Sequence, residues 1–195
     1  MDADGVTIAC ATKAELRAAR RTGARTALVG LAAANGLPEG PLVSFGLAGA
    51  LRDDLPAGTI LDATRVVDRE GTVLWQGEPL GVAGALPATI LAADEIVDEP
   101  GERKRLHERT GADAADLESG PLARTGRLRG VLRAVSDTPE RTLHGICDAV
   151  TPAGRYDWPG LVRAFAREPR GFALAASDAR LALGRLDAVA KGWPE

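Results

Sequence analysis

The chain is built from short apolar runs that stop on polar or small residues. GVTIAC (5–10), RTALVG (25–30), PLVSFG (41–46), TILDATRVVD (59–68), GTVLWQ (71–76), ALPATILAAD (85–94) and GVLRAVSD (130–137) have the length and β-branched content of strands. Most are apolar at nearly every position, the pattern of strands covered on both faces. Between them lie stretches with helical signals. TKAELRAARR (12–21) places Thr12 and Glu15 as a capping box. LAAANG (31–36) reads as a short helix, and PGERKRLHERTG (100–111) has Pro100 in its first turn and Gly111 at its end.

PLVSFG runs straight into LAGAL (47–51), whose small residues permit close backbone approach. TILDATRVVD and GTVLWQ are spaced to pair across a turn at Glu70-Gly71. ADAADLESGPLART (112–125) starts as a strand and becomes a helix near Leu117, and the tail from Trp158 to Lys191 is helical with a break at EPRG (168–171). Strands followed by helices predict an α/β fold: a single three-layer domain over 1–195 with a mixed, mostly parallel central sheet. The loop at 138–157 is long enough for a lid or an interface segment.

Composition removes several classes of function. The 24 basic residues are outnumbered by 27 acidic ones, so no nucleic-acid footprint is expected. Cys10 and Cys147 lack metal or redox spacing, and His107 and His144 stand alone, so neither a metal nor a cofactor is expected. No stretch has the length of a membrane span, and MDADGVTIAC is acidic where a signal peptide would be basic. A reducing, cytoplasmic setting follows as the expectation.

In open α/β sheets, ligands collect outside the carboxyl ends of strands. Those ends carry Ala48-Gly49, Asp94, Asp116 to Ser119, and Arg133 to Asp137, with Glu15 just after the first strand. Each also has an architectural explanation. Asp137 with Glu140 suits a helix capping box, Glu118 suits a first-turn carboxylate, Glu15 suits the cap of Thr12, and Arg133 suits an ion pair with a neighbouring acid.

Taken in order, SFGLAGAL (44–51), GTILDATRVVD (58–68), ADE (93–95), DLES (116–119) and LRAVSD (132–137) resemble the purine nucleoside phosphorylase and nucleosidase superfamily. The stretch from ILAADE to LRAVSD looks most like the hopanoid-associated phosphorylases. It is also similar to the methylthioadenosine/S-adenosylhomocysteine nucleosidases. The likeness covers residues 5–137, and the tail more loosely.

The resemblance implies cleavage of the N-glycosidic bond of a purine nucleoside, with adenine as the base and an apolar 5′ substituent. It casts Asp137 as the acid that protonates N7 of the leaving base, with its pKa raised if the site is dry, and Ser136 as the residue that orients it. Glu118 matches the carboxylate that takes the ribose hydroxyls, and its charge suits a cationic sugar. Leu117 falls where a methionine packs under the ribose, and Glu15 matches the carboxylate that activates water. Arg133 is expected to place that water, or an anion, beside Glu118. Gly46, Leu47, Ala48 and Gly49 form the strand-end loop at the substrate. A homodimer whose partner completes the pocket is a further expectation.

The sequence departs from the pattern in several places. Leu47 stands where a Thr or Ser touches phosphate or the attacking water, and Ser44 where an arginine often binds phosphate. A phosphate dianion needs several charge-assisted donors. The amides of Gly46 to Gly49 offer a small anion nest, and Arg17, Arg20 or Arg52 a charge from elsewhere. Ile96 replaces the aromatic that stacks on the base, and the segment between GTVLWQ and ALPATILAAD is compressed. Water and phosphate, the latter as co-substrate, therefore stay open as nucleophiles. Trp75, Tyr156 and Trp158 are candidates to line the 5′ pocket, with core or edge packing as the alternative for each. Beside the enzyme stand two other readings: a nucleoside-binding relative without turnover, and a domain alike only in fold.

Overall fold

The computed structural model describes residues 5–140, 151–154 and 157–194. Its sheet contains β1 (Thr7–Cys10), β2 (Arg25–Leu28), β3 (Leu42–Ala50), β4 (Ile60–Val67), β5 (Val73–Gln76), β6 (Leu86–Ala92), β7 (Ala114–Asp116) and β8 (Leu128–Asp137). Parallel pairings join β1 to β2 and β3, β3 to β8, β4 to β6, and β6 to β7. Antiparallel pairings join β3 to β7, β4 to β5 and β4 to β8. The circuit β3–β8–β4–β6–β7–β3 closes on itself, so the sheet curls into a ring with β1, β2 and β5 outside it. The α/β class and the mixed, mostly parallel sheet are as the sequence predicts. One detail differs: β3 to β6 follow one another with no helix between them, because β4 runs antiparallel to β8 and turns back through β5.

Helices cover the sheet. The Thr12–Glu15 capping box starts α1 (Lys13–Ala19), and Gly111, in the left-handed region at φ 68°, ends α2 (Pro100–Thr110). LAAANG yields only a 3-10 turn, Leu31–Ala33, with Ala32 and Ala33 at positive φ. A short α3 (Ser119–Ala123) follows β7, and the tail forms α4 (Trp158–Arg167) and α5 (Pro169–Lys191).

Alternation along β3 shows how both sheet faces are filled. Val43 and Phe45 face a cluster with Ile8 and Cys10 of β1, Ala18 and Ala19 of α1, and Ala182, Leu186 and Ala190 of α5. Leu42 and Ala48 face the other cluster, with Val66, Ile90, Leu122 and Val131. Alanines at the α5 contact let that helix approach the strands closely, and Trp193 closes the end edge-to-face on Phe45, 6.1 Å between centroids. Trp75 belongs to this framework and not to a ligand pocket: it packs on the core and its Nε1 donates to the Leu128 carbonyl at 3.0 Å. Asp62 is likewise architectural, accepting the amides of Leu80, Gly81 and Val82.

No helix among the described residues is long and apolar enough to cross a membrane. Tyr156, His144, Cys147 and most of the expected lid lie outside the described residues, as does the Trp158 side chain.

Candidate active site

A cavity of about 220 Å³ opens at the carboxyl ends of β1, β3, β7 and β8. Its wall includes Glu15, Leu47, Ala48, Gly49, Ile96, Leu117, Glu118, Ser136 and Asp137, the expected residues from five separate segments. Ala175 and Ala179, one turn apart on α5, contribute an apolar side. Ile96 lies at the mouth, 41% exposed, and the neighbouring Asp94 is exposed and outside the cavity.

Glu15 serves its cap and the cavity at once. Its Oε2 accepts the Thr12 amide at 2.7 Å and the Thr12 hydroxyl at 3.0 Å, while Oε1 accepts the Leu47 amide at 2.8 Å. Burial raises its pKa above the ordinary carboxylate value, against the pull of these amides and of Arg133. Gly46 does not touch the cavity but makes room for this arrangement. A Cβ there would come within 2.5 Å of Glu15 Oε1. Since β3 stays extended through Ala50 and the Leu47 amide belongs to Glu15, the expected anion nest at Gly46 to Gly49 does not form.

Glu118 is buried in the cavity wall, within electrostatic reach of Glu15, and accepts the Ala32 amide at 3.2 Å. Burial, reinforced by the nearby Asp116 charge, pushes its pKa up to about 8, with Arg133 opposing. Glu118 sits at the N-cap of α3 without a side-chain cap bond, and Asp116 braces the start of that helix instead. The Asp116 carboxylate accepts the Ser119 amide at 2.9 Å and the Ser119 hydroxyl at 2.5 Å.

Arg133 corrects one expectation. It lies behind the cavity wall, 1% exposed, and donates to Asp116 Oδ2 and to Ser44 Oγ, each at 2.5 Å, and to Ser119 Oγ at 3.3 Å. Its guanidinium organises the carboxylates from behind instead of meeting water or an anion. Ser44, where the resemblance expected a phosphate-binding arginine, is an acceptor for this cation.

Asp137 is the last residue of β8 and reaches over Gly49, where a Cβ would come within 2.8 Å of its Oδ2. Its Oδ1 accepts the Ser136 hydroxyl at 2.6 Å, and that hydroxyl also reaches the Ala48 carbonyl at 3.3 Å. Its Oδ2 faces Arg103 Nη2 at 2.5 Å, a charge contact whose angles fall outside hydrogen-bond geometry. Glu140 is exposed in the turn that follows, and Arg103 and Ser136 engage the Asp137 carboxylate.

Arg103 was not legible as a site residue. It sits on α2, 1% exposed, with Nε donating to the Val97 carbonyl at 2.9 Å and Nη1 to the Ala50 carbonyl at 3.2 Å. The available signal was its phase with Leu106, three residues on and the other buried residue of α2.

Arg52, one of the expected sources of charge, pairs with Asp54 and Asp113 away from the cavity, and Arg17 and Arg20 do not line it either. Among the described residues no group of three or more metal-ligating side chains occurs.

No family model and no curated protein matches the chain. Solved structures do share its fold. Futalosine hydrolase of Helicobacter pylori superposes with TM-score 0.61 at 14% identity, covering 94% of this chain and 96% of that one. S-adenosylhomocysteine nucleosidase from Streptococcus pyogenes, in complex with 5-methylthiotubericidin, gives 0.61 at 14% identity over 97% of each chain. The 5′-methylthioadenosine/S-adenosylhomocysteine nucleosidase of S. pneumoniae, with a transition-state inhibitor, gives 0.60 at 13%, covering 95% and 98%.

Proposed function

We propose that this chain hydrolyses the N-glycosidic bond of a purine nucleoside. The observation that carries the reading is the division of one cavity into two chemical ends. Glu15 and Glu118 stand at one end, and Asp137, oriented by Ser136, stands at the other. A sugar that becomes cationic belongs beside carboxylates, and a base that leaves as an anion belongs beside an acid. Glu118 takes the ribose hydroxyls, Leu117 packs under the ring, Glu15 draws the proton from water, and Asp137 delivers one to N7. The raised pKa of Glu15 makes it a stronger base than an ordinary carboxylate. The apolar side at Ala175 and Ala179 suits the 5′ substituent, for which methylthio, homocysteinyl and hopanoid groups are all candidates.

Water is favoured over phosphate because neither buried guanidinium near the cavity is free for a dianion. Arg133 is held by Asp116 and Arg103 by Asp137, so a dianion would have to displace a buried carboxylate to reach either one. Solved proteins of the same fold that bind purine nucleoside analogues support the assignment. A homodimer in a reducing, cytoplasmic compartment completes the proposal. The apolar Val162, Phe165, Leu174 and Leu181, exposed on α4 and α5, are the surface it would cover.

Base release from methylthioadenosine, S-adenosylhomocysteine and inosine, with and without phosphate, tests the reaction. Release that needs no phosphate is expected. Release only with phosphate would move the nucleophile to phosphorolysis, and nucleoside binding without release would favour the binding-only alternative.

A further inference from the structure

Arg103 Nη2 and Asp137 Oδ2 are buried, line the cavity between them, and lack a well-aligned hydrogen bond in the whole described structure. Such a pair is costly to bury and keeps unused hydrogen-bonding capacity on both atoms. Strand β3 fixes where that capacity lies. Glu15 meets the strand at Gly46 and the Leu47 amide, Asp137 at Gly49, and Arg103 at the Ala50 carbonyl. Along one strand the order is therefore sugar end, leaving-group acid, guanidinium.

A purine nucleoside has the same order: C1′, then N7, then the substituent at ring position 6. If the acid faces N7, the group beyond it faces position 6. We propose that Arg103 is a specificity-determining residue that reads position 6, and that the preferred base is a 6-oxopurine. The inference rests on the proposed function and replaces adenine, the base implied by the family resemblance.

The chemistry is one-sided. Arg103 is a donor only. The Hoogsteen edge of a 6-oxopurine offers two acceptors, O6 and N7, and O6 matches the guanidinium N–H that lies beyond the residue facing N7. Adenine offers an acceptor at N7 but a donor at N6, so its amine meets the guanidinium donor to donor. Arg103 cannot turn away to accommodate it, since Nε and Nη1 are tied to the Val97 and Ala50 carbonyls.

Equilibrium binding and cleavage of inosine, purine riboside and adenosine test this directly, because on the Hoogsteen edge they differ only at position 6. The expected order is inosine, then purine riboside, then adenosine, with about 10- to 100-fold between the extremes. In Arg103→Met the ratio of inosine to adenosine falls toward one, and in Arg103→Lys, which keeps a donor, part of it returns. Equal or adenosine-favouring affinities in the wild type, or a ratio unchanged in Arg103→Met, overturn the inference. If the Met variant does not fold, the wild-type series alone decides. Failure to bind any of the three overturns it as well, and the cleavage assay on 5′-substituted nucleosides then shows whether the proposed function falls with it.

Discussion

Arg133 and Asp116 form an ion pair at 2.5 Å in which each side chain is 1% exposed, and through Asp116 that pair connects Arg133 to the cavity wall. Asp116 Oδ2 takes the guanidinium and the Ser119 hydroxyl together, so one carboxylate holds strand β8 to the start of α3. Glu118 hangs from that junction.

Breaking the pair from one side leaves a buried charge without a partner. Asp116→Asn is expected to cost about 3–5 kcal/mol of unfolding free energy, measured by urea titration. Replacing both partners with apolar residues of similar volume should cost less than the two single changes combined. Additive losses would mean that the pair does not act as a unit.

Glu118 makes stability depend on pH. In the folded chain it holds its proton up to about pH 8, whereas its unfolded counterpart releases it near 4.5. The stabilisation from the retained proton is complete below the lower value and is lost as pH rises through the upper one. Wild type should therefore lose up to a few kcal/mol, relative to Glu118→Gln, between about pH 5 and pH 9. Unfolding titrations across that range should converge at low pH and separate at high pH. Parallel curves would show that Glu118 ionises alike in both states.

Glycine at position 49 is required by the carboxylate above it. A Cβ would come within 2.8 Å of Asp137 Oδ2 and 3.4 Å of its Cγ. Gly49→Ala should displace Asp137 and reduce kcat by about 10²-fold, the scale of a 1 Å misplacement, while KM changes little. Unchanged kcat in a folded variant would mean that Asp137 does not need this position.

The strand runs and their polar ends were legible because buried strands leave a nearly unbroken apolar signature. The carboxyl-end rule then placed Glu15, Glu118 and Asp137 around one opening. The capping box at Thr12 and Glu15 was legible too, but as an alternative to a site role. The fold uses both, since a carboxylate has two oxygens and the Leu47 amide takes the second. What pattern reading does not reach is pairing between distant charges. Arg133 takes the ion-pair alternative offered by its sequence and not the role beside water or a bound anion, but the sequence did not say that its partner is Asp116, and Arg103 looked like one more cation on a highly charged helix. The ring closure of β3, β8, β4, β6 and β7 brings these groups together, and such closure depends on strand order, which local sequence does not encode.

The role of Asp137 is best isolated by changing the leaving group. Asparagine keeps the shape, and its carbonyl can still accept from Ser136, but it has no proton to give. Asp137→Asn should lower kcat on a purine nucleoside by about 10²- to 10⁴-fold. A riboside whose leaving group is a nitrophenolate departs as an anion without help, so on that substrate the variant should keep most of its activity. Loss of the Arg103 counter-charge will also lower stability, which a thermal melt records separately. Equal losses on both substrates would mean that Asp137 acts on the sugar or on folding and not on the departing base.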